Sequence, residues 1–268
     1  MKKTFKKLLG VLFLGVILLS TTACGKDENT ITIAATAAPH AEILEFAEEL
    51  VEAKGYKLDI KVFSDYITPN TATEAGDVDV NFFQHAPYLE SFNAENDTHL
   101  VSVGAVHYEP LGLYKGSKNS LDLISNGDKI LVPNDTTNEA RALLLLEEAG
   151  LIDVRDDAGL TATKADIVSN PNNLDIIEMN AELIAAARED GAFAVINGNY
   201  ALEAGLKTAD AIRFESSTGL AATTYANILV VKAGNENNPA ILALVEVLQS
   251  EAVKNFITET YQGSVIPA

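Results

Sequence analysis

Short β-rich runs alternate with stretches of helical period along almost the whole chain, and this alternation is what most limits the fold. Strands separated by helices pair most readily in parallel, with the helices packed on the sheet faces, so a series of such units predicts open α/β sheets covered on both sides. Residues 30–34 read as a strand, after which Ile43, Leu44, Phe46, Ala47, Leu50 and Val51 recur at helical spacing over 41–53, closed by Gly55. Strands follow at 57–63 and 77–83, then a helix over 87–93. The extended run 100–114, interrupted by Pro110 and Gly112, predicts a crossing into a second lobe. There the alternation resumes with a strand at 129–132, a helix at 137–149 ending at Gly150, and a strand at 174–177. A helix at 181–187, a strand at 192–196 and a short helix ending at Gly205 complete that series. A last strand, 225–231, and helices at 239–249 and 251–261 are placed to return to the first lobe. The expected architecture is α/β: two mostly parallel sheets around a cleft, with lobe 1 formed by 30–108 plus 225–268 and lobe 2 by 109–224.

The first 23 residues have a different composition. Lys2, Lys3, Lys6 and Lys7 precede an apolar run over 8–19 and the small residues Ser20, Thr21, Thr22 and Ala23, which is the order of a secretory signal peptide. The run is shorter than the roughly 20 apolar residues a spanning helix needs, and no later segment approaches that length. Cys24, the single cysteine of the 268 residues, follows directly, and the junction resembles a bacterial lipobox, whose cysteine is acylated and becomes the mature N-terminus. The alternatives are an ordinary secreted protein with a stray cysteine or an uncleaved anchor. Residues 24–29 are polar and unpatterned, as a tether is. A lone cysteine makes no internal disulfide, so the fold is expected to rest on its core.

Charge narrows the partners. Four of the 19 basic side chains lie in the leader, leaving 15 against 38 acidic ones, a net charge of −23. Nucleic acid needs a basic surface and is excluded as a partner, and anionic lipid is equally unsuited to hold this chain electrostatically.

In open α/β sheets ligands bind beyond the carboxyl ends of strands, so those positions are the candidates for chemistry. After the strand at 129–132 come Asn134, Asp135, Thr136, Thr137, Asn138, Glu139 and Arg141. Thr136 and Glu139 fit a capping box, placing the helix start at Thr136. Arg141 then lies near the positive end of that helix, where a cation is disfavoured. Either it binds an anion such as a carboxylate with its planar fork, or it pairs with an acidic side chain, Glu139 included. Asn197 ends the strand at 192–196 and reads as a polar ligand or as a turn residue; Asn227 lies within the apolar strand 225–231, where a buried amide needs a partner. Tyr66, Phe83, His85 and Tyr88 follow strands of the first lobe and form either an apolar wall with polar tips or ordinary core. The histidines His40, His85, His99 and His107 show no metal spacing, so a zinc site would require tertiary convergence, and neither metal nor cofactor is expected. No nucleophile elbow or phosphate loop is present.

The motifs PHAEIL (39–44), DYITPNTA (65–72), NFFQHAPYLESF (81–92) and HYEPLGLY (107–114) resemble those of the methionine-binding lipoproteins, the MetQ/NlpA type of ABC-transporter substrate-binding protein. So do LVPNDTTNEARALLLLEEAGLI (131–152), INGNYALEAGL (196–206), YANILVV (225–231) and the terminal GSVIPA. The resemblance spans nearly all of the chain after the leader. It implies a two-lobed, periplasmic-binding-protein-like fold of type II that closes on a small ligand, held by lipid on Cys24 at the extracytoplasmic face of the cell membrane. It also implies that Arg141 clamps a methionine carboxylate, that Asn197 and Asn227 fix the carboxylate or ammonium, and that Tyr66, Phe83, His85 and Tyr88 line the side chain, with Asn138 beside them. The expected protein is a monomer that performs no reaction and delivers methionine, the L form with the D form as a further candidate, to a permease and its ATPase. Competing readings are a receptor for a methionine-containing dipeptide, a surface adhesin, and a secreted hydrolase built on His85.

Overall fold

The computed structural model describes residues 29–216 and 223–268; the predicted leader, Cys24, where lipid attachment is expected, and most of the tether lie outside them. The chain begins with β1 (Thr30–Ala35), α1 (Glu42–Glu52), β2 (Lys57–Val62), α2 (Thr68–Ala75), β3 (Val80–His85), α3 (Ala86–Asn96) and β4 (Leu100–Tyr108). It continues through β5 (Gly112–Lys115), β6 (Lys129–Pro133), α4 (Thr136–Glu148), β7 (Asp153–Val154), β8 (Ile167–Ser169), β9 (Asp175–Met179) and α5 (Ala181–Ala187). Then come β10 (Phe193–Ile196), α6 (Gly198–Glu203), β11 (Ala211–Phe214), β12 (Ala226–Lys232), the helices α7 (Pro239–Leu248) and α8 (Glu251–Tyr261), and β13 (Ile266–Pro267).

Two principal sheets result, one per lobe. The first has the order β13-β4-β12-β3-β1-β2 and the second β11-β5-β10-β6-β9, with β7 and β8 forming a separate ribbon. Both are mixed rather than mostly parallel. β1 pairs in parallel with β2 and β3, and β6 with β9 and β10, whereas β12 runs antiparallel to β3 and β4, and β5 antiparallel to β10 and β11. The antiparallel pairs gather at the strands through which the chain leaves and re-enters a lobe, because a segment returning from the other lobe needs no helical crossover to pair.

Alternation sets which side of each strand meets which helix. Ile130, Val132, Phe193 and Val195 pack with Leu143 and Leu146 of α4, while Leu131, Ala194 and Ile196 pack with Ile184 of α5 and Tyr200 of α6. In the first lobe Ile31, Ile33, Phe82 and Leu229 meet Ile43, Leu44, Leu244 and Ile257 from α1, α7 and α8. On the other face Phe83, Ile228 and Val230 meet Tyr88, Leu89 and Phe92 of α3. Each such side chain contributes about 1.5–3 kcal/mol of burial, so no disulfide is required.

The run at 100–114 is two strands in different sheets, β4 and β5, separated by Glu109, Pro110 and Leu111, in keeping with the expected crossing. Elsewhere the structure departs from the sequence reading: the short strands β7, β8, β11 and β13 were not expected, and two helices differ. α2 was not legible because its buried residues are Pro69, Asn70 and Thr73, so it carries no apolar stripe. Its contacts are polar: Asn70 Nδ2 donates to Gln84 Oε1 at 3.0 Å, and Asn81 Nδ2 donates to Thr73 Oγ1 at 2.8 Å. Finally, the N-cap of α4 is Asp135, whose carboxylate accepts from the Asn138 backbone N–H at 3.0 Å. The capping box at Thr136 does not form; the Glu139 carboxylate accepts from the Lys164 backbone N–H at 3.1 Å.

Candidate functional site between the lobes

The eight residues expected at the pocket, Tyr66, Phe83, His85, Tyr88, Asn138, Arg141, Asn197 and Asn227, line one cavity between the sheets, which their side chains nearly fill, leaving about 20 Å³. Gln84, Glu109, Gly198 and Asn199 line it too and were missed. Gly198 and Asn199 adjoin Asn197. The signal for Glu109 was a carboxylate flanked by His107, Tyr108, Pro110 and Leu111, an apolar setting for a charge.

Strand ends position most of these groups. His85 closes β3 and caps α3: its Nδ1 accepts from the Tyr88 backbone N–H at 3.2 Å, which fixes the proton on Nε2. Burial, and then the Arg141 charge, push its pKa down to about 3, so the ring is neutral. Nε2 donates to Asn138 Oδ1 at 3.3 Å. The same oxygen accepts from Arg141 Nη1 at 3.2 Å and from Asn197 Nδ2 at 3.0 Å. Three N–H donors from three elements thus converge on one oxygen, an arrangement suited to a carboxylate oxygen. Asn197 Oδ1 is buried without a partner among the described residues.

Arg141 does pair with an acidic side chain, but with Glu215 rather than Glu139. Its Nε and Nη2 reach the two Glu215 oxygens at 3.2 and 2.6 Å, and Nη2 also donates to the Glu109 carbonyl at 3.2 Å. Its guanidinium carbon lies 4.1 Å from the centre of the Tyr225 ring. Burial disfavours the charge, yet the Glu215 carboxylate more than offsets this and holds the pKa above its ordinary value. One edge of the fork is therefore anchored and Nη1 is left facing the cavity. Glu215 could not be nominated from the sequence because β11, the strand it follows, shows no readable pattern.

The opposite end of the cavity is acidic. The Glu109 carboxylate is buried, which pushes its pKa up, while His40 and Arg141 draw it down. Asn227 Nδ2 donates to Glu109 Oε1 at 3.3 Å and Asn227 Oδ1 faces His40 Nε2 at 3.2 Å. Tertiary convergence has also gathered His40, His107 and Glu109, all buried, with one potential ligand atom from each within 4.8 Å of the others. Between the polar ends stand the aromatic rings. Tyr66 lies 5.7 Å from both Phe83 and Tyr88 and stacks at 5.0 Å on Tyr200 of the other lobe. Its hydroxyl donates to Asn199 Oδ1 at 2.5 Å, and the Tyr200 hydroxyl donates to the Ser64 carbonyl at 3.1 Å, so the lobes touch directly.

The comparisons with known proteins agree with this architecture. The chain is 42% identical to the methionine-binding lipoprotein MetQ of Bacillus subtilis, covering 100% of this chain and 99% of that protein. A lipoprotein structure from Ruminococcus gnavus superposes with a TM-score of 0.88 at 55% identity, covering 90% of this chain and 99% of the other. A nutrient-binding protein from Burkholderia cenocepacia, solved bound to methionine, superposes with a TM-score of 0.84 at 38% identity over 89% of this chain and 99% of the other. Residues 31–268 match the sequence profile of the NlpA lipoproteins, and the chain belongs to that family.

Proposed function

We propose that this protein is a lipid-anchored receptor that captures methionine between its lobes and hands it to the permease and ATPase of an ABC importer. The observation that carries this reading is the convergence of His85, Arg141 and Asn197 N–H groups on one oxygen position, with the Glu109 carboxylate across the same cavity. Donors at one end and a buried carboxylate at the other match an amino-acid zwitterion. In the bound state the ligand carboxylate takes the donors now held by Asn138, and the ammonium faces Glu109 and Asn197 Oδ1. The thioether chain lies against Tyr66, Phe83 and Tyr88, a setting that favours sulfur near ring edges. The names of relatives support the ligand and the importer: methionine-binding lipoproteins, a methionine-bound structure and an ABC-transporter periplasmic substrate-binding protein from Coxiella burnetii.

Lipid on Cys24 keeps the receptor at the extracytoplasmic face, and lobes dividing near 108/109 and 224/225 close around a ligand that bridges them. The protein holds its cargo without transforming it and works as a monomer. Calorimetric titration tests the site. Asn197→Ala removes one donor to the carboxylate without touching the Arg141–Glu215 pair, and a lost hydrogen bond to a charged group, about 1.5–3 kcal/mol, weakens methionine binding by about 10- to 150-fold. Affinity within about threefold of the parent rejects this placement of the carboxylate.

A further inference from the structure

Two buried histidines stand behind Glu109 and do not line the cavity. His40 lies in the turn before α1 and His107 in β4. Their partners assign the ring protons. His40 Nε2 faces Asn227 Oδ1 at 3.2 Å and Glu109 Oε1 at 3.4 Å, two oxygens that only accept, so Nε2 carries the hydrogen and Nδ1 accepts the Thr36 hydroxyl at 2.7 Å. His107 Nε2 lies 2.7 Å from the same Glu109 Oε1, and its Nδ1 has no partner among the described residues. With Asn227 Nδ2 at 3.3 Å, Oε1 accepts from two N–H donors, and His40 orients the Asn227 amide from 3.2 Å while its Nε2 lies 3.4 Å from the same carboxylate oxygen. Oε2 is left on the side of Gly198, where a Cβ would come within 2.9 Å of it.

All three of these groups are neutral. Burial holds the imidazoles well below their ordinary values, at about 4 for His40 and about 3 for His107. The other ionisable groups that face Glu109 are Arg141, Glu203, Tyr66 and Tyr261. Arg141 is paired with Glu215 and touches only the Glu109 carbonyl, so it draws the carboxylate down from a distance without bonding to it, and the remaining three supply no cation. Burial raises the pKa of a carboxylate held by neutral donors, and its charge is compensated only in part until a cation reaches it from the cavity.

We infer that His40 and His107 are positioning residues that hold Glu109 for a ligand ammonium group, and so set the preference for α-amino acids over isosteres carrying a hydroxyl in its place. The inference rests on the zwitterion reading above. The test compares L-methionine with its hydroxy analogue, 2-hydroxy-4-(methylthio)butanoate, by calorimetry on the parent protein, His107→Phe and His107→Gln. Phe keeps the ring against Phe82, now 5.3 Å away, and removes the donor; Gln restores an N–H. His107→Phe should lose methionine affinity by about tenfold or more and affinity for the hydroxy analogue by less than about threefold, with His107→Gln recovering most of the difference. Thr36→Val, nearly isosteric, should shift the ratio in the same direction by releasing the His40 ring.

Equal losses for both ligands would mark a structural role and overturn the inference. So would stoichiometric zinc, iron or manganese in the parent protein by plasma mass spectrometry that disappears in His107→Phe, since the cluster would then be a metal site. A ligand-free readout separates this inference from the methionine reading. Carboxyl carbon NMR should show Glu109 titrating at higher pH in His107→Phe than in the parent, because the ionised form has lost a donor. An unchanged titration sinks the positioning role whatever the ligand is, whereas failure of the parent protein to bind methionine, with the titration shifted, sinks only the ligand assignment.

Discussion

Arg141 serves the fold and the site with different edges of one guanidinium. The Nε/Nη2 edge is bound to Glu215, and Nη1 is turned to the cavity. Truncating one member of a buried pair strands the other, at a cost of about 3–5 kcal/mol. Arg141→Ala should therefore lose stability of that order together with ligand binding. Adding Glu215→Gln should recover part of the stability and none of the affinity, a separation that urea denaturation and calorimetry on the same samples can read. Loss of binding in Arg141→Ala alone does not locate the ligand, which is why the Asn197 substitution is the sharper probe of the cavity.

At the scale of the element, α4 shows how a local signal one residue out of place changes the account of a site. Asp135 caps the helix through the Asn138 backbone N–H, and its two oxygens also accept from Asn138 Nδ2 at 2.9 and 3.0 Å. The cap thus aims the Asn138 carbonyl at the three donors. Asp135→Ala should cost about 0.5–2 kcal/mol of stability and also change ligand affinity, whereas Thr136→Ala should leave both near the parent values. Thermal melts with and without methionine distinguish the two positions; equal effects would restore Thr136 as the cap. α2 carries the complementary lesson. Its buried face is made of Asn70 and Thr73 docked on Asn81 and Gln84, so the helix exists because of its partners rather than an apolar period of its own.

For the whole molecule, buried histidines couple folding to acidity. His40, His85 and His107 titrate at about 4, 3 and 3 when folded but near 6.5 when unfolded. Between these limits the unfolded chain binds more protons, so stability is full above about pH 6.5 and declines as pH falls toward 3, by up to about 1.4 kcal/mol per pH unit for each ring. Glu109 and Asp135, pushed up by burial, act in the opposite sense, as does Glu139, raised to about 7. Urea midpoints between pH 7 and 4 should fall with acidity, and His107→Gln should flatten that slope by about one proton; an unchanged slope would show that His107 is charged in the folded protein.

The order of strands and helices, the crossing near Pro110 and the strand-end candidates were readable in the sequence because they depend on local period and on turn chemistry. Phe83, His85, Asn138, Arg141 and Asn197 stand at or beyond strand ends and meet in one cavity because strand ends converge there; position alone left them between ligand contacts and ordinary structural roles, and the family resemblance chose between the two. What local pattern could not supply was pairing over distance. Glu215 lies 74 residues from Arg141, His40 lies 187 from Asn227, and Asn227 lies 118 from Glu109. Nor could it supply the antiparallel strands at the lobe crossings or a helix whose buried face is polar. Periodicity records which side of an element avoids water. It carries no information about which polar group on another element will satisfy a buried charge, and that choice was made only when the two lobes came together around the cavity.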